Sequence, residues 1–179
     1  MDLRIEKTEK AIKNAFIELR SQKPLEKITV RELCTLACIN KSTFYAHYAD
    51  IYALSAALES ETVASVLKDV AYAQPYSAEN PEAFTKALCL SFLSHSSLIQ
   101  ILFSGKEQGC LASKLEAEIK KTIYQTYPAY QNDAEKKILL SYCIQGAFHA
   151  YLNNQEIDAA VLLRVIETIV KTLKPLHCS

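Results

Sequence analysis

The stretch from Thr29 to Asp50 reads TVRELCTLACINKSTFYAHYAD. Thr29 and Glu32 make a Thr-x-x-Glu capping box: the threonine oxygen takes a free backbone N–H, and the glutamate reaches back to the cap. Leu33, Leu36 and Ala37 are then expected to face inward. Residues 38–40 form a tight turn. Asn40 is a good N-cap for a further helix that runs to about Tyr48. With Phe44 inward and 100° per residue, Tyr48 shares its face. Ser42 and Ala46 fall at the centre of the opposite face, flanked by Thr43 and Tyr45. One side of this helix is aromatic and the other is small or polar. Such a helix suits a core on one side and a groove on the other.

The rest of the chain reads as helix. Only 3 Gly and 5 Pro occur in 179 residues, which argues against a turn-dense β fold. Residues 4–21 carry Ile12, Phe16 and Leu19 at helical spacing, with Lys10, Lys13, Asn14 and Glu18 on the other side, and Pro24 ends the run. Asp50 caps a long helix to about Tyr72. Gln74–Pro81 reads as a loop. Further helices are expected at about Pro81–His95, Ser97–Phe103 (stopped by Ser104–Gly105), Cys110–Thr126, Asp133–Asn153 and Asp158–Lys174 (stopped by Pro175). The spacing predicts an all-α chain of about nine helices: a three-helix domain over residues 1–50, then a larger helical domain over 51–179.

Charge is a weak guide. The chain is neutral overall. Residues 1–54 carry nine Lys and Arg against seven Asp and Glu, a net of +2, and the remainder carries −2. The sign suits a nucleic-acid-facing front. The six cysteines, Cys34, Cys38, Cys89, Cys110, Cys143 and Cys178, show no CxxC spacing, and Cys34 and Cys38 alone make a poor zinc site. The charged start MDLRIEKTEK is unlike a signal peptide, and no apolar run approaches the ~20 residues that span a membrane. The expectation is a cytoplasmic protein with reduced thiols, no metal and no cofactor. No HExxH, phosphate loop or nucleophile–base pair appears at readable spacing, so no catalytic residue is assigned.

Residues 25–54 resemble the DNA-binding domain of the TetR family of bacterial transcriptional regulators. The resemblance stands on Ala37-Cys38-Ile39-Asn40 for the turn, Lys41-Ser42-Thr43-Phe44-Tyr45-Ala46-His47-Tyr48 for the recognition helix, and Ile51-Tyr52-Ala53-Leu54 for the start of the fourth helix. It implies a homodimer on a two-fold-related double-stranded operator, a second domain that holds a small effector, and a dimer interface from helices eight and nine. Three positions depart from the family pattern. Cys38 replaces the usual Gly, and if the turn needs positive φ its Cβ costs about 1 kcal/mol. Ile51 replaces a phosphate-contacting lysine, and Ala46 leaves the recognition helix short at its outward centre.

The candidate DNA contacts are Lys41, Ser42 and Thr43 at the end of the helix that meets base edges, Tyr45 and His47 toward phosphates, and Thr29 and Arg31 at the start of the second helix, where an N-terminus attracts an anion. Phe92, His95, Phe103, Tyr124, Tyr142 and His149 are candidates for an effector pocket, since polar-tipped groups within apolar helices need partners when buried. The effector is unknown. Gly146 and Ala150, with Leu162, Val165 and Ile169, are candidates for the dimer interface. Each has a plainer alternative: solvated surface, ordinary core or intrachain packing. Two other functions stay open, namely a degenerate relative acting through a protein partner and a small helical enzyme.

Overall fold

The computed structural model describes residues 3–73, 76–103 and 108–173. Among them are nine α-helices and no strand: α1 (Leu3–Gln22), α2 (Val30–Leu36), α3 (Lys41–His47), α4 (Ile51–Ala73), α5 (Pro81–Ser94), α6 (Ser96–Leu102), α7 (Gln108–Thr126), α8 (Ala134–Leu152) and α9 (Ala159–Thr172). Single 3-10 turns precede α2 and α8. The expected stops at Ser104–Gly105 and Pro175, part of the Gln74–Pro81 loop, and Cys178 lie outside the described residues.

Local chemistry starts most of these helices. Asp50 accepts the Ala53 N–H at 2.7 Å, Asn80 accepts from Ala83 ahead of Pro81, Asp133 accepts from Glu135 and Lys136, and Asp158 accepts from Ala160. Each side chain satisfies N–H groups that have no partner within the helix.

Two compact units result. The first comprises Met1–Thr62 with Ser96–Gln108, and the second Val63–His95 with Gly109–Ser179. The division falls within α4 and assigns α6 to the first unit, whereas the sequence boundary stood at residue 50. Nothing in the composition of α4 marks a break, because the helix itself has none.

In the first unit, hereafter the head, α1 packs on α2 and α6, and α2 packs on α3. Its core holds Ile12, Phe16, Leu33, Phe44, Leu54, Leu58, Ile99 and Leu102. Leu36, expected inward, is instead exposed, and Cys34 is buried in its place. In a helix of two turns the apolar face can settle to either side of Leu33.

In the second unit α5 packs on α8 and α9, and α8 packs on α9. Leu88, Phe92, Leu115, Ile119, Ile123, Leu140, Ile144, Phe148, Ile166 and Val170 fill the interior. Phe92 sits against Phe148 and Tyr151, with ring centroids 5.6 and 5.7 Å away.

A polar cluster joins α7 to α8. Glu116 Oε1 accepts from Lys120 Nζ and Ser141 Oγ, both at 2.6 Å, and Oε2 accepts from Gln145 Nε2 at 2.7 Å. Burial alone would raise the Glu116 pKa. The hydrogen bonds from Gln145, Lys120 and Ser141 outweigh burial and bring it down to about 2.

Candidate nucleic-acid interface

The interface is built from two short helices and the turn between them. At the start of α2 the capping box is complete. Glu32 N–H donates to Thr29 Oγ1 at 3.3 Å, and Thr29 N–H donates to Glu32 Oε2 at 3.3 Å. The Thr29 hydroxyl also donates to Glu32 Oε2 at 2.9 Å, while Lys23 Nζ pairs with Glu32 Oε1 at 2.7 Å. The cap that was a candidate for phosphate thus already faces a carboxylate. Hydrogen bonds from Lys23 and Thr29 hold that carboxylate below the usual range. Arg31 is exposed beside it.

The turn closes α2 with a Schellman motif. Ile39 N–H donates to Cys34 O at 3.0 Å and Cys38 N–H to Thr35 O at 3.3 Å. Cys38 has φ +54°, the only positive φ outside glycine among the described residues. The turn does need the left-handed conformation, and a side chain occupies it at a cost of about 1 kcal/mol.

Asn40 then organises the start of α3. Its Oδ1 accepts the Thr43 N–H at 2.8 Å and the hydroxyls of Ser42 and Thr43 at 2.7 Å each. The hydroxyl protons of Ser42 and Thr43 are therefore directed back at the cap. With the Thr43 hydroxyl engaged, its methyl is the group that remains for an apolar contact such as a thymine methyl.

Phe44 is fully buried and locks the opposite face. Tyr45 is 55% exposed, its ring edge-on to Phe44 at 5.5 Å. His47 is half-buried beside Tyr48, ring centroids 6.3 Å apart. Lys41, Ser42, Tyr45 and Ala46 are exposed. The candidates Lys41, Ser42, Thr43, Tyr45 and His47 thus share one short helix, and Thr29 and Arg31 belong to the same unit.

Ile51 is 6% exposed and belongs to the head core, so this position serves packing rather than phosphate contact. The neighbouring Tyr52 is 58% exposed in the first turn of α4. The sequence reading did not single it out; its place after a buried Ile51 was the available signal.

The effector candidates are not brought together. Phe92 is core in the second unit, and Phe103 is buried in the head. His95 Nε2 lies 2.9 Å from Asp69 Oδ2. Tyr124 is half-buried, and Tyr142 and His149 are exposed on α8. Helix α8 is apolar on nearly every face, so periodicity could not tell which of its polar-tipped residues point inward. A cavity does exist in the second unit, lined by Tyr76, Phe84, Leu88, Ile123, Leu140 and Cys143 among others, of about 20 Å³. That is room for roughly one water.

Of the dimer candidates, Val165 and Ile169 are about half exposed and continue a stripe with Val161 along α9. Leu162 is buried, because one residue further along the helix turns it 100° into the core. Gly146 and Ala150 line a surface groove between α8 and α9 of about 170 Å³, together with Tyr142, Ile166 and Ile169. A Cβ built on Gly146 would meet nothing within 4 Å. No neighbour among the described residues requires a glycine there.

No family model matches the sequence, and no match is found among curated proteins. Solved structures do match. A TetR/AcrR-family transcriptional regulator from Aquifex aeolicus VF5 superposes with a TM-score of 0.64 at 15% identity, covering 93% of this chain and 99% of that one. A TetR-like transcriptional regulator from Rhodococcus sp. RHA1 gives 0.60 at 14% identity, covering 90% and 92%. A putative transcriptional regulator from Pseudomonas aeruginosa PAO1 gives 0.60 at 16% identity, covering 93% and 90%. The chain has the all-α fold of TetR-type regulators. Among its described residues, no helix is long and apolar enough to cross a membrane.

Proposed function

We propose that the chain is a ligand-responsive transcriptional repressor that grips a palindromic operator as a homodimer. The observation that carries this reading is α3. One face is closed by a fully buried Phe44, and the other offers Lys41, Thr43 and Tyr45 on a helix pinned by Asn40. The shared fold supports it. In this reading Lys41 and Thr43 meet base edges, Ser42 completes the helix start, and Tyr45 and His47 hold phosphates that set register.

The exposed stripe Val161, Val165 and Ile169, beside the Gly146 groove, supports pairing through α8 and α9. Two heads competent for one operator then lie about 34 Å apart, one helical turn of DNA. The effector acts by binding more tightly to a spacing of the heads that does not fit DNA.

The test is fluorescence anisotropy with duplexes recovered from random-sequence DNA by the wild-type chain. Binding should weaken steeply with salt. The double variant Tyr45→Phe, His47→Ala should lose about 1.5–3 kcal/mol for each charged hydrogen bond removed. A folded dimer that shows no salt-sensitive DNA binding would sink the proposal.

A further inference from the structure

The head carries a charged cluster that a sequence reading assigns to a solvated helix face. Lys13 Nζ on α1 lies 2.7 Å from Glu9 Oε1 on the same helix, and 2.7 and 2.9 Å from the two carboxylate oxygens of Glu61 on α4. The ammonium has three protons, and three carboxylate oxygens stand ready for them. Glu9 Oε1 also accepts the Tyr48 hydroxyl at 3.4 Å.

Tyr48 is the C-cap of α3. Its N–H closes the last turn on Phe44 O at 2.9 Å, and its own backbone is already extended. The N-terminus of α3 is pinned by Asn40 and its middle by Phe44, while its C-terminal end is tied down through Tyr48. The cluster therefore chains three elements of one unit, from Glu61 on α4 through Lys13 and Glu9 on α1 to the end of α3.

The Lys13 side chain is only 20% exposed. Burial opposes its charge, but the hydrogen bonds to Glu61 and Glu9 outweigh burial and hold its pKa above the ordinary lysine range. The Glu9 carboxyl is lowered, first by its hydrogen bond from Lys13, with a smaller contribution from His47 nearby.

We propose that Lys13 and Glu61 are positioning residues for DNA recognition: they clamp α1 to α4 and, through Glu9 and Tyr48, set the angle at which α3 is presented. A lysine on a DNA-binding head would ordinarily be read as a phosphate contact. Here its protons are spent within the protein. The clamp's role in recognition rests on the DNA-binding reading above, but its hold on α3 does not.

Glu61→Gln separates positioning from bulk charge. It makes the head more positive by one unit, which by electrostatics alone favours DNA. The clamp predicts the opposite. Binding to a fluorescein-labelled duplex recovered by the wild type should weaken about tenfold, the effect of misaligning one base contact. Binding to a scrambled duplex should hold or tighten, and the salt slope should not change.

Lys13→Met should behave like Glu61→Gln on the recovered duplex, and Lys13→Arg, which can still bridge both carboxylates, should restore most of the affinity. Amide exchange over residues 44–48, measured without DNA, should rise in Glu61→Gln. Unchanged or tighter binding of the recovered duplex by Glu61→Gln overturns the proposal. So does a salt slope lowered by about one in Lys13→Met, since that marks a direct phosphate contact. A wild type that binds no duplex, with exchange still raised in Glu61→Gln, sinks the DNA reading and leaves the clamp itself standing.

Discussion

The head and the second unit hold their helices by different means. In the head, α2 and α3 have seven residues each, too few to be stable alone, and each is fixed at both ends by a named contact. Thr29 and Glu32 start α2, the left-handed Cys38 ends it, Asn40 starts α3, and Tyr48 ends it. In the second unit α7 and α8 have nineteen residues each and are held by apolar area. There the polar contacts between helices gather in a cluster such as Glu116, Lys120, Ser141 and Gln145. Hydrogen-bonded ends fix where a helix starts and stops and so its register. Broad apolar faces leave more than one good packing. Under the proposed function, a surface that reads a groove suits the first kind of construction, and a domain that accommodates a guest suits the second.

That contrast can be broken at several points. The largest effect should come from Phe44→Ala. It empties a fully buried site and should cost about 3–5 kcal/mol in chemical denaturation. The loss should fall on the head, with DNA binding abolished while the second unit keeps its helical signal.

Next, Glu116→Gln should cost about 1.5–3 kcal/mol at neutral pH, because three hydrogen bonds lose a charged acceptor. Glu116 has a folded pKa of about 2 against an ordinary 4.5. Its stabilisation is therefore complete above pH 4.5 and is lost as the pH falls toward 2. The gap between variant and wild type should close over that window in a series of denaturation curves. A gap independent of pH would mean that the carboxylate charge does not hold α7 to α8.

Asn40→Ala should cost about 1 kcal/mol or somewhat more, since one oxygen serves three donors. It should weaken DNA binding more than its stability loss alone explains. The smallest effect has the opposite sign. Cys38→Gly should raise stability by about 1 kcal/mol by removing the Cβ from a left-handed turn. A destabilised glycine variant would show that the turn gains more from the side chain than it loses to strain.

The same contrast explains what could be read in advance. Capping residues announce themselves by type and spacing, so α2, the turn and α3 were legible, while the positive φ at Cys38 was raised only as a condition by the resemblance. The all-α class followed from the scarcity of glycine and proline together with helical periodicity. Leu36 was misplaced because a two-turn helix offers two equivalent inward faces. On α9, of the residues put forward for a dimer interface, Val165 and Ile169 are exposed and Leu162 is buried. On α8 the phase could not be read, because apolar residues run around the whole helix, and Tyr142 and His149 came out on the surface. Partnerships between distant residues leave no local trace. Lys13 was placed only on the outer side of the first helix, and nothing in the local sequence singled out Glu61, Glu116 or Gln145 as partners.

The division of the chain within α4 also bears on how such a protein can be taken apart. A head cut at residue 50 would leave behind Ile51, Leu54 and Leu58 from its own core, and with them Glu61. It would also lose Ile99 and Leu102 on α6, the helix that packs against α1. Grafting the proposed DNA-binding head onto another chain is thus not a matter of exchanging an N-terminal cassette. A working chimera must carry α4 at least to Thr62 and bring a matching α6 (Ser96–Leu102) from further along the chain.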